Sequence, residues 1–264
     1  MEKEVYPQKD YYNIDDLLNI MKILRGENGC PWDMEQDHHS IRKDLLEESY
    51  EVAEAIDLEN TDLLKEELGD LLLQVVFHAE IEREKDSFDF DAVCDGICKK
   101  LIYRHPHVFG NIHLNSSAEV LKSWDSLKSK AKGQETAGQR LDDISKALPP
   151  MARGEKVCKR AVNAGLKGIT AEIAAENLKK AAEQLEISVK SENNVEIGEN
   201  LGKLLFASCN LSNLLKKDCD ECLTTSINRF IMQFKAIEKN ALEKGMALDE
   251  IPRDEVLKLF DTGK

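Results

Sequence analysis

The segment Glu67-Leu68-Gly69-Asp70-Leu71-Leu72 returns as Asn200-Leu201-Gly202-Lys203-Leu204-Leu205, an offset of 133. Further along, Glu119-Val120-Leu121-Lys122-Ser123-Trp124-Asp125 returns as Glu255-Val256-Leu257-Lys258-Leu259-Phe260-Asp261, an offset of 136. Two matches in the same order, each at about half of the 264-residue length, imply two homologous halves. A fold for this chain must therefore be one that the sequence can complete twice. The joint runs over 131–150, where Lys132-Gly133-Gln134-Glu135-Thr136-Ala137-Gly138 lacks apolar periodicity and Pro149-Pro150 interrupts any helix. Domains are expected at 1–130 and 151–264 with a linker between them.

Each half reads as a small helical bundle. Ile14, Leu17, Leu18, Met21 and Leu24 recur at three- and four-residue steps, the mark of an amphipathic helix, which Gly29-Cys30-Pro31 stops. A second helix is expected from about Ser40 to Leu58, its apolar face carried by Leu45, Val52, Ala53 and Ile56. A third, with Thr61 as N-cap, spans Asp62 to about Arg83, and a fourth follows Phe88-Asp89-Phe90 to about Tyr103. The connections are short, so neighbours should run antiparallel. With only 14 glycines, 6 prolines and 6% aromatic residues, a strand-rich sandwich or barrel is disfavoured, and the fold class is all-α.

The formal net charge of −14 argues against nucleic acid as a partner, since binding it needs a basic face. That charge is unevenly spread. Residues 44–70 hold eleven acids and one base, Lys65. A merely solvated helix face would interleave lysines for pairing one turn apart. Instead Glu48 and Glu51 share a face on one helix, and Glu67 and Asp70 share a face on the next, with Gly69 leaving room beside them. Antiparallel packing would bring these four carboxylates together, where they repel unless a cation intervenes. All-oxygen ligands suit a hard divalent ion, Mg²⁺ or in its place Mn²⁺, rather than zinc.

Glu47-Glu48-x-x-Glu51 with Glu67-x-x-Asp70 resembles the signature of the all-α nucleoside triphosphate pyrophosphohydrolases. The wider pattern is similar to the MazG family: Gly29-Cys30-Pro31-Trp32-Asp33-x-Glu35-Gln36, then Leu46-Glu47-Glu48, Glu67-Leu68-Gly69-Asp70-Leu71-Leu72, Arg104-His105-Pro106-His107-Val108-Phe109 and Trp124. The resemblance covers essentially the whole chain, tandem arrangement included. It implies helical-bundle domains, Mg²⁺-dependent hydrolysis of nucleoside triphosphates to monophosphate and pyrophosphate, and a homodimer. On that reading Glu48, Glu51, Glu67 and Asp70 hold the metal, and Glu47 is either the base for the attacking water or a further ligand. Lys100 and Arg104, one helical turn apart, match the family's phosphate-contacting residues, and Trp124 matches an aromatic residue beside the nucleotide.

Moving the site by the first of these offsets puts Lys180, Ala181, Gln184, Asn200 and Lys203 where Glu47, Glu48, Glu51, Glu67 and Asp70 stand. No metal ligand survives, and residues 177–203 carry five acids against four bases. Allowing a four-residue deletion, Lys100 and Arg104 become Arg229 and Gln233, while Trp124 becomes Phe260. Activity is thus expected in the first half, with the second a non-catalytic scaffold.

The N-terminus has no apolar stretch of the kind a signal peptide needs, and no apolar run approaches the length that spans a bilayer. A cytoplasmic protein away from the membrane is therefore expected. Seven thinly spread cysteines read as free thiols, since Cys219-x-x-Cys222 has no partner motif for zinc. A di-iron carboxylate bundle would need Glu-x-x-His, which these segments lack. Neither a P-loop nor a GxGxxG occurs. The remaining alternatives are a regulatory protein with both halves degenerate and a relative specialised for dUTP or phosphoribosyl-ATP.

Overall fold

The computed structural model describes residues 6–166 and 168–260. All regular structure in it is helical, and the chain falls into two compact units, Met1–Leu127 and Lys128–Lys264. Among the described residues, no helix is long and apolar enough to cross a membrane.

The first unit contains α1 (Ile14–Arg25), α2 (Pro31–Glu35), α3 (Arg42–Asp57), α4 (Thr61–Glu84), α5 (Phe90–Arg104), α6 (Pro106–Phe109) and most of α7 (Ser117–Ala131). Asn13 starts α1 with a capping box, its side chain accepting from the Asp16 amide while Asp16 accepts from the Asn13 amide. After α1 the chain doubles back: the Cys30 amide donates to the Leu24 carbonyl at 2.8 Å. Gly29 makes that hook possible, because a Cβ there would stand 2.1 Å from the Leu24 oxygen. Met21, Ile41, Val76, Phe77 and Ile81 form the core, flanked by Leu17, Leu18, Leu73 and Phe90.

Helix α4 begins one residue earlier than its sequence suggests. Asn60, not Thr61, is the N-cap, its side chain accepting from the Leu63 amide. The apolar face read for α3 also shifts. Ala55 is the fully buried residue, while Ile56 stays 56% exposed. On α3 the small Ala55 is thus enclosed while Leu46, Tyr50 and Ile56 stay exposed, and α4 supplies the large core side chains Val76, Phe77 and Ile81.

The second unit contains α8 (Ala137–Asp142), α9 (Pro150–Asn163), α10 (Ala171–Lys190), α11 (Asn194–Leu215), α12 (Cys219–Glu243) and α13 (Arg253–Leu259). Pro150 does not break a helix but opens α9 at its first turn, where a missing N–H costs nothing. The segment read as a linker holds α8, started by a Thr136–Gln139 capping box. On α9, Gly154 lies against α11 so closely that a Cβ would meet Cys209 Sγ at 2.7 Å.

The repeat is visible in the backbone as well as the letters. Glu59, between α3 and α4, and Glu192, between α10 and α11, stand at the offset of the first repeated motif, and both are left-handed, with φ of 51° and 56°. The next residues, Asn60 and Asn193, each cap the second helix of their hairpin. Asp89 and Asp218 then cap α5 and α12, an offset shortened to 129. Asp261, the last residue of the second repeated motif, lies outside the described residues.

Candidate metal centre

Helices α3 and α4 are joined by only three residues, Leu58–Asn60, and therefore pack antiparallel along their length. Three amides close this connection: Leu58 donates to Glu54, Glu59 to Ile56 and Asn60 to Ala55. The left-handed Glu59 turns the chain by nearly half a circle without a glycine. This fixes which turn of α3 faces which turn of α4.

The result is that Glu48 of α3 and Glu67 and Asp70 of α4 converge, with one carboxylate oxygen from each lying within 4.8 Å of the others. Opposed oxygens of an octahedral Mg²⁺ shell are about 4.2 Å apart, so small rotamer changes would bring the three onto one ion. Glu51 adjoins them, close enough that its charge acts on both Glu48 and Glu67.

Electrostatics agree with the crowding. The Glu48 carboxyl is pushed above its ordinary range by partial desolvation and then by the charges of Asp70, Glu51 and Glu67. Glu67 is raised too, by desolvation and then by Glu51, Glu66, Asp70 and Glu54. A divalent cation would reverse both shifts, and the donors are oxygens only, so the residues present fit a hard ion. Glu54, which the sequence reading does not single out, belongs to this acidic field. Its i, i+3 spacing from Glu51 is the sequence signal for it.

The remaining expected site residues lie elsewhere in the unit. Glu47 is on α3 beside Glu48 and exposed to solvent. Lys100 is exposed on α5 and Arg104 is half-buried in its last turn. Among the described residues neither makes an ion pair. Trp124 of α7 is half-buried, with the His105 ring edge-on at 5.1 Å. Its Nε1 is buried without a hydrogen-bond partner, as is His107 Nδ1. Among the described residues no side-chain hydrogen bond or ion pair joins Glu47, Lys100, Arg104 or Trp124 to the carboxylate cluster.

At the matching place in the second unit the carboxylates are gone. Asn200 Nδ2 donates to the Gln184 carbonyl at 3.4 Å, and Lys203 Nζ donates to Asn200 Oδ1 at 3.0 Å. Lys180 sits 3.9 Å from Glu176 on its own helix. A cationic amine thus occupies the position equivalent to Asp70.

Comparison with known proteins places these features in context. A family profile described as the MazG nucleotide pyrophosphohydrolase domain matches residues 36–109. Over 250 residues the chain is 35% identical to the nucleoside triphosphate pyrophosphohydrolase/pyrophosphatase MazG of Thermotoga maritima, covering 95% of both chains. Over 238 residues it is 37% identical to the nucleoside triphosphate pyrophosphohydrolase of Escherichia coli K12, covering 89% of this chain and 90% of that one. It is also 34% identical over 257 residues to the uncharacterized protein YabN of Bacillus subtilis, spanning 96% of this chain and 52% of that protein.

Proposed function

This chain belongs to the MazG family of nucleotide pyrophosphohydrolases, and from that membership we infer an enzyme that hydrolyses nucleoside triphosphates to monophosphate and pyrophosphate, with Mg²⁺, at the carboxylates of α3 and α4. The observation that carries the location is the convergence of Glu48, Glu67 and Asp70 within 4.8 Å, with Glu51 alongside.

Bound Mg²⁺, or Mn²⁺ in its place, supplies Lewis-acid charge at the triphosphate oxygens. Glu48, Glu51, Glu67 and Asp70 hold it. Glu47 is exposed beside Glu48 and accepts the proton of the water that attacks the α-phosphorus, or serves as a further ligand. Lys100 and Arg104 balance phosphate charge that the metal leaves uncompensated, and Trp124 flanks the nucleotide. Leu46, Leu68, Leu72, Ile97, Leu101 and Ile102 are each at least 39% exposed, which supports a homodimer that covers them. The second unit is a scaffold, since a divalent ion has no carboxylate to meet at Gln184, Asn200 and Lys203. In the cell the activity clears unwanted nucleotides from the pool.

The test is a panel of nucleoside and deoxynucleoside triphosphates with Mg²⁺, reading pyrophosphate against orthophosphate. Pyrophosphate should appear, and Glu48→Ala with Glu51→Ala should abolish it. Orthophosphate alone as product, or full activity in the double variant, overturns the reading. Comparable rates across bases support pool clearance, and a single preferred base overturns that role in favour of a specialised one.

A further inference from the structure

His38 lies in the loop between α2 and α3, and His78 lies on α4. Their rings lie nearly parallel, with centroids 5.0 Å apart and planes 17° apart, and meet edge to edge with the two Nδ1 atoms separated by 2.8 Å. On its other side His38 Nε2 is 2.6 Å from Glu82 Oε1, one turn further along α4. The loop is otherwise tightly specified. Asp37 Oδ1 accepts from the His39 and Ser40 amides at 2.8 Å each, and Ile41, which follows directly, is a core residue and the N-cap of α3.

These distances restrict where protons can sit. Glu82 accepts, so His38 Nε2 must carry hydrogen. With the two Nδ1 atoms in hydrogen-bond contact, one must donate and the other accept. With both rings neutral, His78 donates to His38. With His38 cationic, its Nδ1–H donates to a neutral His78 and its Nε2–H pairs with ionised Glu82. A second proton would set two N–H groups against each other, and the contact would open.

We propose that His38, His78 and Glu82 form a latch that ties the start of α3 to α4 while the two imidazoles share at most one proton, and that a second proton releases it. The charged groups placed against the pair are Asp37 from the loop, with His39 beside it, and Glu82 of α4, which Lys85 also binds; Arg25 of α1 is taken up by Glu84. Glu82 stays ionised throughout, held at about 2 by hydrogen bonds from Lys85 and His38. The His78 imidazole is pushed below its ordinary 6.5 by burial and then by His38. A base with a depressed value in the folded chain contributes stability above 6.5 that is lost as pH falls below it. His78 follows Asp70 by eight residues on α4, so releasing the latch frees the end of α3 that leads into Glu48. That last link rests on the proposed metal site. The latch itself does not.

The test uses the full chain labelled with ¹⁵N-histidine, titrated from pH 8 to 4.5. The histidine pair should take up its two protons in coupled steps, and His78→Gln should leave a single step. Amide protection over 38–45, corrected for intrinsic exchange, should fall about tenfold per pH unit below the second step and stay flat in His78→Gln. Independent titration of both rings as single steps, or an unchanged slope in the variant, overturns the latch. Should His78→Gln fail to fold, His38→Asn gives the same readings. Glu48→Gln must keep the two-step titration. If it loses Mn²⁺ binding the metal site stands, and if it binds Mn²⁺ unchanged that site fails while the latch survives.

Discussion

Arg25 holds Glu84 through two parallel hydrogen bonds of 2.8 Å, from Nε and Nη2, across 59 residues of sequence. The same guanidinium donates through Nη1 to the Asp33 and Gln36 carbonyls and lies 5.1 Å from the Phe77 ring centre. One side chain therefore clamps the end of α4, the hook around α2 and the core together.

Removing that clamp should be costly, because the Arg25 side chain is only 6% exposed and two carbonyls depend on it. Arg25→Ala is expected to destabilise the first unit by about 3 kcal/mol. Arg25→Lys should recover less than half of this, since an ammonium cannot form the fork to Glu84. Urea unfolding of the two variants measures both, and an Arg25→Ala loss below about 1 kcal/mol would contradict the clamp.

Glu48 and Glu67 are both raised above the usual carboxylate range, first by desolvation and then by the neighbouring carboxylates. An acid shifted upward costs stability at neutral pH, and the cost disappears as pH falls to its ordinary 4.5. Glu67→Gln without metal should accordingly melt higher than the parent at pH 7.5, with the gap closing by pH 4.5. Millimolar Mg²⁺ should reverse the order at pH 7.5. A variant that melts lower than the parent in EDTA would show that the cluster is not mutually repulsive.

Gly154 lies within a helix, where alanine normally stabilises by about 1 kcal/mol. Here the new Cβ would meet Cys209 Sγ at 2.7 Å and its Cβ at 3.2 Å, both fixed on α11. Gly154→Ala should instead destabilise the second unit by about 1–2 kcal/mol. Adding Cys209→Ala removes the nearer atom, and the pair should show a favourable coupling of about 1 kcal/mol. Additive losses would mean that the contact is absent in solution.

The hydrogen bonds of Asn200 and Lys203 are structural on this reading. Asn200→Ala and Lys203→Ala should each leave pyrophosphate release within about twofold of the parent, while Asp70→Asn drops it at least about a hundredfold. A tenfold loss in either second-unit variant would assign catalysis to that half.

The carboxylates of α3 and α4 are legible in the sequence because they are local: short spacings and one connection decide their meeting. Helical periodicity likewise suffices for most elements. It fails where neighbours override the pattern, as at Ile56, which stays outside while Ala55 is enclosed. Helix α8 is signalled by Thr136-x-x-Gln139, but its flanks carry no apolar repeat to draw attention to it. His38 and His78 stand 40 residues apart, one in a loop, and no period links them. Where Lys100, Arg104 and Trp124 sit depends on α5 to α7, whose packing is not encoded in the motif spacing.

The hairpin turn at Glu59-Asn60 and its counterpart at Glu192-Asn193 separate what a repeat inherits as geometry from what it inherits as chemistry. The second hairpin kept its hinge and its cap while its carboxylates changed, so it is a ready scaffold for transplantation. Writing Lys180→Glu, Ala181→Glu, Gln184→Glu, Asn200→Glu and Lys203→Asp onto α10 and α11 should give that hairpin the carboxylate set proposed for α3 and α4, and the Mn²⁺ bound per chain should rise by the same number that the first hairpin holds.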